Sequence, residues 1–181
     1  MDKIGCIIIL FFTTVFYSQE SELNEDLMYT YFDKGLSQMY MQKDSAYALF
    51  DKASDIASDL KDYDSFLGVL DHVVITANYH DDISKYQLTL KRMDSLLTNE
   101  SVRPQITDLT YWKTAYLGKL ALYYSNTKEY NKSKNIFLNI ISDWKGQPAE
   151  KLDDTKAEML YKINGLLGTI YRNQEKYELA E

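Results

Sequence analysis

From Leu23 onward, apolar residues recur mostly three and four positions apart. Met28, Phe32, Leu36 and Met39 form one stripe; Ala46, Leu49 or Phe50, Ala53, Ile56 or Ala57, and Leu60 form a second. That spacing gathers apolar side chains on one face of an α-helix. Short polar joints separate the stripes, at Gln42–Asp44, Lys61–Asp64, His80–Ser84, Asn99–Pro104, Thr127–Glu129 and Lys145–Asp154. Asp44, Asp64 and Asp154 are expected to cap helices, because a carboxylate accepts hydrogen bonds from the free amides of a first turn. Helix, short turn, helix, repeated, predicts an all-α chain built as an α-solenoid.

The N-terminus departs from this pattern. Asp2 and Lys3 precede a largely apolar run of 13 residues, Ile4 to Phe16, and Tyr17, Ser18 and Gln19 then turn the chain polar. A membrane-spanning helix needs about 20 apolar residues, so the run fits better the core of a secretory signal peptide. Residues 1–19 are expected to be that signal, cut near Ser18 or Gln19, and the chain is expected to be exported to a periplasmic or extracellular location. An uncleaved anchor and a buried N-terminal helix are the alternatives. Cys6 lies before Ile7 to Phe12 rather than after them, which argues against lipid attachment there. Residues 20–181 are read as one solenoid domain.

Internal repeats sharpen the picture. Leu120-Ala121-x-x-Tyr124 is followed by Tyr130-x-x-Ser133-x-x-x-Phe137-x-x-Ile140, and Leu167-Gly168-x-x-Tyr171 by Tyr177-x-x-Ala180. Tyr130 follows Tyr124 by 6 residues, as Tyr177 follows Tyr171, and the two units are offset by 47. Upstream, Ala46-x-x-x-Phe50-x-x-Ala53 and Tyr86-x-x-x-Leu90-x-x-Met93 repeat the second half of the register, offset by 40.

On these residues the sequence resembles the tetratricopeptide repeat family. Leu167, Gly168, Tyr171, Tyr177 and Ala180 match the family's pattern of Leu-Gly and Tyr on helix A and Tyr, Ala across the turn onto helix B. Leu120, Tyr124, Tyr130 and Phe137 match it too, with Ala121 in place of Gly and Ser133 in place of Ala. The resemblance spans roughly residues 25–181 and implies a right-handed α-solenoid of about four helix pairs. A small residue midway along helix A lets helix B approach closely, and the tyrosines bury their rings while the hydroxyl reaches a polar partner. Glu181 follows Ala180 directly, so the last repeat is expected to be incomplete, through truncation or through completion in a homodimer.

Composition narrows the function. Two Pro and seven Gly in 181 residues leave few breakers and argue against a turn-rich β fold. A net charge of −7 and a pI near 4.9 argue against a grip on nucleic acid by this segment. The one Cys can form neither an internal disulfide nor a multi-thiolate zinc site. No phosphate-binding loop, G-x-S-x-G or H-E-x-x-H sequence is present, so no catalytic residue and no cofactor is assigned and the chain is not expected to be an enzyme. His72 and His80, with Asp71, Asp81 and Asp82 nearby, lack a recognised ligand spacing, and no metal is assigned. Asn99-Glu100-Ser101 and Asn131-Lys132-Ser133 are formal glycosylation sequons, the second with its Ser at a packing position.

The resemblance instead implies a concave surface, lined by the A helices, that holds a peptide or another protein's tail. By register that surface takes Asp71, Ile75, Asn78 and Tyr79, then Leu122, Ser125 and Asn126, then Lys162, Thr169, Arg172 and Asn173. The Asn positions could bond a peptide backbone, or they could end their helices in the left-handed conformation that Asn tolerates. Two functions follow. One is an exported scaffold that binds a protein or peptide. The other is the sensor half of a membrane regulator, tethered by a missing C-terminal region that leads to a kinase or helix-turn-helix domain.

Overall fold

The structure is a computed structural model that describes residues 24–145 and 154–174. Among them the chain is all-α. Helix α1 covers 24–38, α2 Lys43–Leu60, α3 Tyr63–Tyr79, α4 Ile83–Thr98, α5 Leu109–Asn126, α6 Tyr130–Lys145 and α7 Asp154–Asn173, with one 3-10 turn at Arg103–Gln105. Helices pack on their chain neighbours, α2 on α3, α3 on α4, α5 on α6 and α6 on α7, the arrangement of an α-solenoid. The expected signal segment, most of the Lys145–Asp154 insertion, and Tyr177 and Ala180 of the last repeat lie outside the described residues.

The chain divides into two compact units, Met1–Thr107 and Asp108–Glu181. In the first, the repeat register becomes the core. Ala46, Phe50, Ala53 and Ala57 of α2 are buried, as are Tyr86, Leu90, Met93 and Leu97 of α4 at the same spacing. Between them α3 buries Leu67, Val69, Leu70, Val73, Val74 and Ala77. Helix α1 closes the other side, with Phe32 tilted on Phe50 at 5.9 Å and edge-on to His72 at 5.0 Å. A Cβ on Gly35 would lie 2.6 Å from Phe50 Cε1, so only glycine allows this approach of α1 to α2. On the surface, Asp51 of α2 pairs with Lys85 at 3.6 Å and Arg92 at 3.7 Å of α4; such exposed pairs contribute little, ~0–1 kcal/mol each.

In the second unit the same positions recur in α6, where Ser133, Phe137, Ile140 and Trp144 are buried. They join Ala121 of α5 and Ile163, Leu167 and Ile170 of α7 in one apolar cluster. Ser133 is fully buried, as its place in the register implies.

Three of the joints share one construction. Three helices end on a left-handed residue, Lys61, Asp81 or Lys128, and each time the next amide reaches back five residues: Asp62 to Ala57 at 2.9 Å, Asp82 to Ala77 at 2.8 Å, Glu129 to Tyr124 at 2.7 Å. The caps differ from the expected ones. Asp62 accepts from Ser65 N–H and Asp82 from Lys85 N–H, both at 3.0 Å, and Asp108 accepts from Tyr111 N–H at 2.9 Å. Asp44 and Asp64 sit inside first turns instead, and Asp154 is itself the first residue of α7. Gln42 precedes α2 without a side-chain cap bond. Asp64 has another role: its Oδ2 accepts from Thr107 N–H at 2.8 Å and fixes the chain after the 3-10 turn.

Candidate functional site

The candidate residues fall into sets on three A helices. Asp71, Ile75 and Asn78 recur at helical spacing along α3 and are half-buried. Tyr79 ends that helix and is 59% exposed. Its ring meets Tyr40 edge-on at 4.9 Å and His80 at 5.0 Å, forming an exposed aromatic group where α1 and α3 end. Asp71 also faces the core: burial, and then the Asp71 charge, push the Tyr86 phenol well above its ordinary pKa. Part of its role is therefore packing within the first unit.

In the second unit Leu122 and Ser125 of α5 are half-buried and Asn126 is exposed. Lys162, Thr169, Arg172 and Asn173 are all exposed on one side of α7, opposite the side that buries Ile163, Leu167 and Ile170. Thr169 Oγ1 donates to the Gly165 carbonyl at 3.1 Å and accepts from Arg172 Nη2 at 3.2 Å. The hydroxyl thus lays the guanidinium back along its own helix. The structure brings the α7 residues together on one face; the α3 residues belong to the other unit.

The helix-ending role considered for the asparagines does not hold. Asn126 and Asn173 keep the ordinary backbone of their helices, and the left-handed residue after α5 is Lys128, as Asp81 is after α3.

The two histidines make local bonds. His72 Nδ1 donates to the Gly68 carbonyl at 3.0 Å within α3. His80 Nε2 donates to the Met39 carbonyl at 2.8 Å and ties the end of α3 to the end of α1. Among the described residues no three His, Cys, Asp or Glu side chains converge as a metal site. At the first sequon, Asn99 Oδ1 accepts from Ser101 N–H at 2.9 Å and from Ser101 Oγ at 2.7 Å, a local turn on an exposed loop.

Two residues of this surface escaped the sequence reading. Gly118 and Gly165 occupy the register position that Asp71 holds in α3, at the 47-residue offset, and a Cβ on either would meet nothing within 4 Å. The signal was present as two mid-helix glycines one repeat apart.

Searches against family models, curated proteins and solved structures find no match. Among the described residues no helix is long and apolar enough to cross a membrane.

Proposed function

We propose that the chain is an exported, tetratricopeptide-like binding module that holds a protein or peptide segment along its A helices. The observation that carries this reading is the repeat of one core register. Ala46/Phe50/Ala53, Tyr86/Leu90/Met93 and Ser133/Phe137/Ile140 are all buried, each on the second helix of a pair. Packing consumes one face of each helix in such an array, and the outward face of the A helices is left for recognition. On α7 that outward face mixes polar and aromatic side chains: Lys162, Thr169, Arg172 and Asn173 are exposed, Thr169 orients Arg172, and Tyr161 is 82% exposed beside them.

The test is a binding screen of the purified full chain against a random decapeptide library. Enrichment of peptides that Arg172→Ala and Asn126→Ala variants no longer retain supports the module. Recovery of no peptide above background by a folded chain overturns it.

A further inference from the structure

We infer that the neighbouring ends of α1 and α3 form a docking surface for an arginine-bearing segment of a basic protein partner. Among the described residues, Tyr40, Met41, Tyr79 and Ile83 are exposed large apolar side chains that lie on just two joints, α1–α2 and α3–α4. Three contacts hold these joints side by side. The Tyr40 and Tyr79 rings meet edge-on at 4.9 Å, His80 Nε2 donates to the Met39 carbonyl at 2.8 Å, and Lys43 pairs with Asp82 at 3.9 Å. Tyr40, Met41 and Tyr79 nevertheless stay 52%, 86% and 59% exposed, so the contacts fix the patch without covering it. Tyr and Met gathered on a fixed surface are the composition of an interface core. The patch lies at helix ends, apart from the outward strip of α7, and does not depend on the groove.

Charge selects the partner. Residues 40–44 and 79–83 carry Asp44, Asp81 and Asp82, with Lys43 as their only Lys or Arg. Lys43 is engaged by Asp82, and among the described residues no Lys or Arg pairs with Asp44 or Asp81. Asp81 is exposed, in the left-handed turn that leads from Tyr79 and His80 into α4. A guanidinium suits this combination. It is planar and weakly hydrated, stacks on aromatic faces, and still bonds a carboxylate through its edge. Its aliphatic stem finds apolar surface at Met41. A second copy of the chain suits the patch less. A two-fold contact there would bring two sets of carboxylates together in a protein that already carries −7.

The experiment uses the full chain and an array of synthetic Gly/Ser decapeptides. Each carries two Arg flanking a central Leu, beside versions in which Lys, citrulline or Glu replaces Arg. Citrulline keeps the planar shape and removes the charge. The expected result is retention of the Arg peptide, weaker retention of the Lys version, and none of the citrulline or Glu versions. Tyr79→Ala and Asp81→Asn should each weaken binding of the Arg peptide roughly tenfold, and high salt should weaken it in the parent. Asn tolerates the left-handed backbone, so Asp81→Asn removes the charge and keeps the turn. Circular dichroism of both variants should match the parent, because both side chains are exposed. Arg172→Ala and Asn126→Ala, which test the groove, should bind the Arg peptide like the parent. No retention of the Arg peptide, equal retention of its citrulline version, or loss in Arg172→Ala instead of Tyr79→Ala overturns the proposal, and the random-library screen decides the groove separately. Sedimentation of the parent as a dimer that Met41→Ser dissociates assigns the patch to a second copy and overturns it as well.

Discussion

Gly35 and Gly118 are both helix-interior glycines, and they are there for opposite reasons. At Gly35 the nearest atoms to a virtual Cβ are those of the fully buried Phe50 ring, at 2.6 and 2.8 Å, so the bare backbone of α1 lies directly on that ring. Gly35→Leu is expected to lower unfolding free energy by about 1–3 kcal/mol, through overpacking that outweighs the gain in helix propensity. At Gly118 a Cβ meets nothing, and only the propensity term remains, so Gly118→Ala is expected to add about 0.5–1 kcal/mol. Urea midpoints of the two variants should therefore move in opposite directions. Tyr86 permits a different measurement. Its pKa is raised, chiefly by burial and then by Asp71, so the folded state keeps a phenol proton that the unfolded chain releases first. The stability this contributes is complete below the unfolded pKa of about 10 and is lost as pH rises beyond it. Denaturation midpoints at pH 8, 10 and 11 should fall more steeply for the parent than for Tyr86→Phe.

The joints show what local sequence does and does not specify at the scale of elements. Their places are legible, because polar residues interrupt the apolar stripes at each of them. The caps are less legible. Asp62 and Asp64, or Asp81 and Asp82, stand within two residues of one another, and the capping member is fixed by where the preceding helix ends. That ending is usually marked by glycine, and here Lys61, Asp81 and Lys128 take the left-handed backbone instead. The signal that would have set the frame is therefore missing from the sequence. For the same reason Asn126 looked like the residue that ends α5, while the left-handed turn falls two positions later. A non-glycine residue in that conformation costs about 1–2 kcal/mol, so Lys128→Gly is expected to stabilise the chain by about 0.5–1 kcal/mol after the added flexibility of the unfolded state is subtracted. Asp82→Ala should lose about 1 kcal/mol, because Lys85 N–H loses its acceptor. Thermal melts of the two single variants read both effects.

For the whole molecule, the repeat offsets of 40 and 47 carried most of the fold, since each aligned position in α2, α4 and α6 is buried. The first two pairs match the family's pattern mainly in their second helices; in α1 the glycine that lets Phe50 approach stands as Gly35-Leu36, the reverse of Leu167-Gly168. The candidate surface was legible as a register, but not its division. Asp71 serves the first core, while Lys162 and Arg172 face outward in a unit with a core of its own. A solenoid's stability is a sum of repeat and nearest-neighbour terms, so damage to one core should stay near its origin. Phe50 and Phe137 hold the same register position in the two units, and both are fully buried. Truncation of either to Ala removes about 3–5 kcal/mol locally. In amide exchange of the full chain, Phe137→Ala should therefore release Tyr130–Trp144 about a hundredfold or more while Lys43–Leu60 keeps its protection, and Phe50→Ala should do the reverse. Equal loss in both segments from either variant would mean that the two units open as one cooperative body.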